Sequence, residues 1–215
     1  MDGNRRWARE QKAPTLEGHR VGLLQTFVDC VRWVQEAGVE HLVVYAFSTE
    51  NWKRTQEEVS YLMDLFGEMF GAKIEDLSKE NVRVRFIGDR EMFSEKLQQI
   101  MRESEEKTSH NDGVTVWVCV SYGGRLEITQ AARVLVEKGE SVTENSLREA
   151  MWSKGMPDPD LVIRTGGERR LSNFLLWQAA YSELFFTDTY WPAFTKEELH
   201  AILKEYAERE RRFGK

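Results

Sequence analysis

The chain is poor in the residues that mark most familiar site chemistries. Its two cysteines, Cys30 and Cys119, sit inside apolar patterns without metal-ligand spacing. They read as buried thiols in a reducing cytoplasm. Its four histidines are scattered; His41, His110 and His200 read as structural or solvent-facing, and no Ser-His-Asp or Cys-His arrangement forms. A Walker phosphate loop and a dinucleotide glycine fingerprint are both missing, and no two aspartates are adjacent. Apolar runs such as Leu42 to Phe47 have strand length, far too short to span a bilayer. No secretory or transit segment precedes Met1-Asp2-Gly3-Asn4, so a cytoplasmic location is expected.

What remains is an ordinary soluble composition, 41% hydrophobic and 31% charged, in 215 residues that fit one domain with a substantial core. The net charge of −6 speaks against a nucleic-acid partner. Acidic residues fall mostly on predicted helices, while arginines crowd the Gly-rich and aromatic turns. That contrast suits a small anionic ligand.

Strand and helix patterns alternate throughout, which predicts an α/β fold: a single domain over residues 1–215 with an open, mainly parallel sheet flanked by helices. Strands are expected at His41–Phe47, Val82–Ile87, Val114–Val120, Leu161–Ile163 and Leu184–Phe186. Helices are expected at about 16–37, 55–79, 93–108, 123–138, 143–152 and 196–212. In the first, Val21, Leu24, Phe27, Val28, Val31 and Val34 recur at helical spacing, and Gly38 follows as a stop. The second carries Val59, Leu62, Met63, Leu65, Phe66, Met69, Phe70, Ile74 and Leu77. So wide a stripe has two readings, a core-facing helix or one wall of an apolar channel, with Gly67 and Gly71 opening room.

Three clusters carry chemistry. The stretch from Asp160 to Glu183 leaves a short apolar strand through Gly166-Gly167, and Arg164, Arg170 and Ser172 follow closely enough to converge on one anion. Glu183 stands downstream as a candidate metal carboxylate. Asp2-Gly3-Asn4-Arg5-Arg6-Trp7, with His19 further on, precedes a predicted helix; backbone N–H groups and arginines there suit a diphosphate, and Asp2 suits Mg²⁺. Ser48-Thr49-Glu50-Asn51-Trp52-Lys53-Arg54 follows a buried strand and reads as a positioning loop at its carboxyl end.

Met1-Asp-Gly-Asn-Arg-Arg-Trp-Ala8, Gly18-His19-Arg20-Val-Gly22, Tyr45-Ala-Phe-Ser-Thr-Glu-Asn-Trp52, Asp160-Leu-Val-Ile-Arg-Thr-Gly-Gly-Glu168 and Arg209-Glu-Arg-Arg-Phe-Gly214 occur in this order. Together they resemble the signature segments of the cis-prenyltransferases, most closely the bacterial undecaprenyl diphosphate synthases, over nearly the whole chain. The resemblance implies repeated condensation of isopentenyl diphosphate onto an allylic diphosphate, usually farnesyl diphosphate, ending in a polyprenyl diphosphate such as the C55 lipid carrier precursor. It implies Mg²⁺ on Asp2 and Glu183. The allylic diphosphate would lie on Asn4, Arg5, Arg6, His19 and Arg54, with Gly3 and Trp7 beside them. The diphosphate of isopentenyl diphosphate would lie on Arg164, Arg170, Leu171 and Ser172. Ser48, Thr49, Glu50, Asn51 and Trp52 would form a mobile loop that positions the homoallylic substrate and helps remove its proton, with Asp2 and Asn51 catalytic. Further expectations are a hydrophobic tunnel lined by the first two helices, a homodimer in which Arg212-Phe213-Gly214 reaches the neighbouring site, and peripheral membrane contact on product release.

Two departures from the resemblance stand out. Members normally carry a strand just before the Met-Asp-Gly-Asn segment, and here it is missing. That sets a free α-amino group, charged near neutrality, one residue from Asp2. Thr15 stands four residues before His19 where bacterial members usually carry arginine, a loss of about 1.5–3 kcal/mol for one charge-assisted contact. The alternative readings are a non-catalytic partner subunit, against which Asp2, Asn51 and Arg164 speak, and a shorter product set by tunnel-floor residues such as Ala72.

Overall fold

Runs of alternating branched and aromatic residues build the first sheet. β1 (His41–Tyr45), β2 (Arg83–Ile87) and β3 (Thr115–Cys119) pair in the order β1-β3-β2, all parallel. The register sets His41 and Arg83 opposite Thr115, and Tyr45 and Ile87 opposite Cys119, so the three carboxyl ends finish level. β4 (Leu161–Arg164) and β5 (Glu183–Phe186) form a second parallel pair. This computed structural model describes residues 1–209, apart from the side chain of Ala72; the expectations for that side chain and for Arg212-Phe213-Gly214 lie outside the described residues.

The expected open parallel sheet is present, but among the described residues it is divided in two. A cavity of about 1110 Å³ is lined on one side by Leu42, Val43 and Val44 of β1 and on the other by Leu161, Val162 and Ile163 of β4. No described strand lies between these two edges.

The helices are α1 (Asn4–Glu10), α2 (Glu17–Val21), α3 (Phe27–Glu36), α4 (Gln56–Glu68), α5 (Ile74–Lys79), α6 (Glu95–Lys107), α7 (Gly124–Lys138), α8 (Glu144–Ala150) and α9 (Lys196–Glu208). Hydroxyls cap several of them: Thr55, Ser94, Thr143 and Thr195 each accept a first-turn backbone N–H. α1 was not expected, since the motif that was read as preceding a helix is itself the start of one. The two long predicted helices are each broken by a π-helical turn, Gly22–Thr26 and Met69–Lys73. The first has a visible cause. Trp191 Nε1 donates to the Gly22 carbonyl at 2.8 Å, and a Cβ on Gly22 would lie 2.3 Å from Asn4 Oδ1. An inserted side chain and a close approach together reset the helical ladder.

The broad stripe on α4 and α5 belongs to the core. Val59, Leu65, Phe66, Met69, Phe70, Ile74 and Leu77 are buried, and of the stripe it is Leu62 that reaches the cavity. The expected tunnel wall along this helix is therefore mostly filled by side-chain packing, and the apolar cavity lies between the β1 and β4 edges, touched by Cys30 and Val34 of α3. No helix among the described residues is long and apolar enough to cross a membrane. Phe66, 1% exposed between Phe47 and Phe70, tests the packing. Phe66→Ala is expected to cost about 3–5 kcal/mol of unfolding free energy in urea titration. A cost below about 1 kcal/mol would mean that the stripe faces open space.

Candidate active site

The last residue of β4 organises one half of the site. Arg164 donates to the Asp2 carboxylate at 2.9 Å, to Ser172 Oγ at 2.7 Å, and to the Arg170 carbonyl. Its neighbour Thr165 anchors the same segment: its hydroxyl accepts the Asp2 N–H and donates to the Asp2 carbonyl, both at 3.0 Å. Beyond it Gly166 and Gly167 turn the chain with φ of 89° and 79°. Their N–H groups donate to Thr189 and Thr187 at 2.8 Å, fixing the turn against the segment after β5. A side chain on Gly166 would meet the Arg6 guanidinium at 2.9 Å and the Asp2 backbone at 3.2 Å, so glycine is what lets these three segments touch.

Asp2 is held ionised. Burial pushes its carboxyl up, but the Arg164 hydrogen bond, the Gly3 N–H at 2.7 Å and the Arg6 guanidinium at 3.4 Å outweigh that, leaving it below the ordinary carboxylate value. The Met1 α-amino group does not carry the charge expected of it. Burial lowers it from 8.0 to about 6, so it is mostly neutral at pH 7.

The other half centres on a residue that the motif reading missed. Glu58, in the first turn of α4, accepts from His19 Nε2 at 3.1 Å and from Arg54 at 3.0 Å, with Arg5 at 3.8 Å. One largely buried carboxylate thus holds three of the expected anion-binding groups. The available signal was its position four residues after Arg54, a helical ion-pair spacing that any surface helix also shows. His19 reaches Glu58 because Gly18 passes against the Asn4 carbonyl, where a Cβ would lie 2.0 Å away. Asn4 Oδ1 is buried without a partner.

Asp2, Asn4, His19, Ser48, Glu50, Asn51, Arg54, Arg164, Arg170, Leu171 and Ser172 all line the cavity between β1 and β4. Gly3 caps α1, and Arg5, Arg6 and Trp7 follow on that helix. The 48–54 segment is a tight 3₁₀ turn closed by a reciprocal cap, in which the Ser48 N–H donates to Asn51 Oδ1 at 3.1 Å. Trp52 anchors that turn: its indole N–H donates to Ser121 Oγ at 2.9 Å and its ring meets Phe47 and Phe93. The Arg170 guanidinium is paired with Glu168 at 2.5 Å. Also unforeseen was Asn173, which joins the 48–54 turn to the turn carrying Ser172.

Glu183 does not meet Asp2. It opens β5 opposite Leu161, three residues and about 10 Å before Arg164 along the strand pair. Its carboxylate is taken by Arg209 at 2.7 Å, whose guanidinium lies 3.9 Å from the Phe185 ring centroid. Among the described residues no group of three His, Cys, Asp or Glu could hold a metal ion. Mg²⁺ commonly takes only one or two carboxylates together with substrate phosphates. An ionised, cavity-lining Asp2 fits that role, and Glu183 within this one chain does not.

Comparison with known proteins gives the family to which a chain with this cavity belongs. A family model described as "Putative undecaprenyl diphosphate synthase" matches residues 1–214. The chain belongs to this family of cis-prenyltransferases. An isoprenyl transferase of Thermotoga maritima is 45% identical over 100% of this chain and 94% of its own length. A ditrans,polycis-undecaprenyl-diphosphate synthase of Micrococcus luteus, named as (2E,6E)-farnesyl-diphosphate specific, is 42% identical over 100% of this chain and 88% of its own. Lavandulyl diphosphate synthase from Lavandula x intermedia, solved with dimethylallyl diphosphate, superposes with a TM-score of 0.95 at 30% identity, over 100% of this chain and 95% of that one.

In this cis-prenyltransferase, burial and then the Arg54 charge hold His19 below its ordinary 6.5, the Glu58 bond opposing them. Its imidazole is therefore neutral at pH 7. The stability that depends on this neutral form is intact above about 6.5 and is lost as pH falls from there towards the folded-state value. An NMR titration of His19 is expected to give a midpoint below 6.5, and Glu58→Ala to lower it further at a cost of about 1–3 kcal/mol in stability. A native midpoint at or above 6.5 would overturn this account.

Proposed function

We propose that this cis-prenyltransferase is Mg²⁺-dependent and condenses isopentenyl diphosphate units onto farnesyl diphosphate, making the C55 polyprenyl diphosphate used as a lipid carrier precursor. It works as a homodimer in the cytoplasm and meets the membrane peripherally when product leaves. The observation that carries the reading is Arg164, whose guanidinium spans Asp2 on one side and the Ser172 turn on the other. Two anion sites thereby share one carboxylate, which suits a reaction that brings two diphosphates together. The names of the relatives support an allylic primer: the Micrococcus luteus enzyme is called farnesyl-diphosphate specific, and the lavender structure contains dimethylallyl diphosphate.

Arg5, Arg6, Arg54 and His19, with the backbone around Gly3 and Asn4, hold the primer diphosphate. As the carbon–oxygen bond breaks, negative charge grows on the leaving oxygens. Guanidinium groups already fixed by Glu58 and Asp2 stabilise it without reorganising. When bound at Asp2, Mg²⁺ would supply further neutralisation of diphosphate charge. Arg164, Arg170 and Ser172 hold the C5 diphosphate, to which Arg170 turns from Glu168. Ser48 and Asn51 position the homoallylic carbon chain and help remove its proton, while neutral His19 donates Nε2–H and carries no charge of its own. The growing hydrocarbon lies along α3 and α4, where Val34 and Leu62 reach the cavity, at roughly 0.8 kcal/mol for each buried CH₂.

Incubation with labelled isopentenyl diphosphate, farnesyl diphosphate and Mg²⁺ is expected to yield long-chain product. Asp2→Ala is expected to lower turnover at least about a hundredfold with the fold intact, the scale of losing one preorganised electrostatic contact. No product from folded protein would sink the reading. Equal turnover by Asp2→Ala would remove Asp2 from it.

A further inference from the structure

Three loops meet at one side chain that the proposed mechanism leaves unused. Asn173 Nδ2 donates to Glu50 Oε1 at 3.0 Å across 123 residues, which ties it to the 3₁₀ turn. Asn173 Oδ1 accepts the Arg125 N–H at 2.9 Å and its carbonyl accepts the Gly124 N–H at 2.8 Å, which ties it to the start of α7 after β3. The two tied segments are also joined directly, since the Thr49 N–H donates to the Tyr122 carbonyl at 2.9 Å.

The fit is close on every side. A Cβ on Gly123 would lie 2.7 Å from Asn173 Nδ2 and 2.8 Å from Thr49 Oγ1, so only glycine leaves room for the amide to reach Glu50. Asn173 itself has φ of 68°, between Ser172 at 51° and Leu175 at 43°. Asparagine and aspartate are the side-chain-bearing residues that tolerate this region best. Phe174 stacks on Tyr45 at 4.7 Å, which holds the turn from its other end. Ser172, the residue before the hub, touches Arg164; Asn51, the residue after Glu50, caps Ser48.

We propose that Asn173 is a positioning residue. It holds the 48–54 turn and the 170–175 turn in one fixed relation and so aligns Ser48 and Asn51 with Arg164 and Ser172. The tether stands on the geometry alone, while its effect on turnover rests on the function proposed above.

Asn173→Asp separates this from general structural damage. It keeps the left-handed backbone and the acceptor for the Arg125 N–H but sets a carboxylate against Glu50. Adding Glu50→Gln restores a hydrogen bond of reversed polarity. In the ligand-free protein, amide exchange over 49–53 is expected to rise about tenfold in Asn173→Asp, with Thr115–Cys119 unchanged. It is expected to return to within about threefold of native in the double variant, as a direct pair requires. With isopentenyl and farnesyl diphosphates, kcat should fall about tenfold in Asn173→Asp and KM for isopentenyl diphosphate move less than about threefold. Native-like exchange in Asn173→Asp, or failure of Glu50→Gln to restore it, would overturn the tether. A broken tether with unchanged kcat would overturn the catalytic consequence. A native protein that makes no product would overturn the proposed function and leave the exchange result to decide the tether.

Discussion

The contact between Arg164 and Asp2 is the constraint on which the site depends. It joins residues 162 positions apart, and it exists only because β4 ends where the Gly166-Gly167 turn lets the chain's first residues lie against it. Asp2 is gripped there through every polar group it has. Thr165 and Trp191 hold its backbone, while Arg164, Arg6 and the Gly3 N–H hold its carboxylate. A guanidinium presents several donors in a fixed fork. Arg164 uses that fork to reach the Ser172 turn as well, so one side chain sets the spacing between the two halves of the cavity.

Glu58 plays the matching part in the other half. Without it Arg5 and Arg54 would repel one another and His19 would lie loose; with it all three are held before any ligand arrives. The two carboxylates solve the same electrostatic problem, how to assemble cations ahead of an anion. Neutral His19 adds a donor without adding charge. Glu183 has been drawn out of this system by Arg209, at the far end of the same strand pair.

The clusters at the strand ends were legible because their residues are contiguous and of types that helices and strands do not otherwise need. The parallel α/β arrangement followed from alternating periodicities for the same local reason. Glu58 was hidden because a glutamate in the first turn of a helix is ordinary chemistry, and only the fold brings His19 to it. Asn173 was hidden because its three partners come from segments at 50, 124 and 125. The α4 stripe left two readings open for a different reason: helical periodicity reports that a face is apolar and does not distinguish packed core from the wall of an open space. The first π-helical turn was unreadable because its cause is a tryptophan more than 160 residues downstream.

Backbone strain is distributed in a way that fits this division of labour. Of the six described non-glycine residues with positive φ, four lie in the loops around the cavity: Ser121, Ser172, Asn173 and Leu175. Such conformations cost on the order of 1–3 kcal/mol each and persist only where surrounding contacts over-determine them. Here the contacts are identifiable. Ser121 is held by the Trp52 indole, Ser172 by Arg164, Asn173 by Glu50 and the α7 start, and Leu175 by burial in one apolar cluster with Tyr122 and Met156. Ser121 and Asn173 are thus matched by anchors from another loop, Ser172 by the end of β4 and Leu175 by packing. Strain and hydrogen bonding at the level carboxyl ends of β1 and β3, and at the end of β4, are two sides of one requirement. Groups from four separate loops must be held still before charge develops between them.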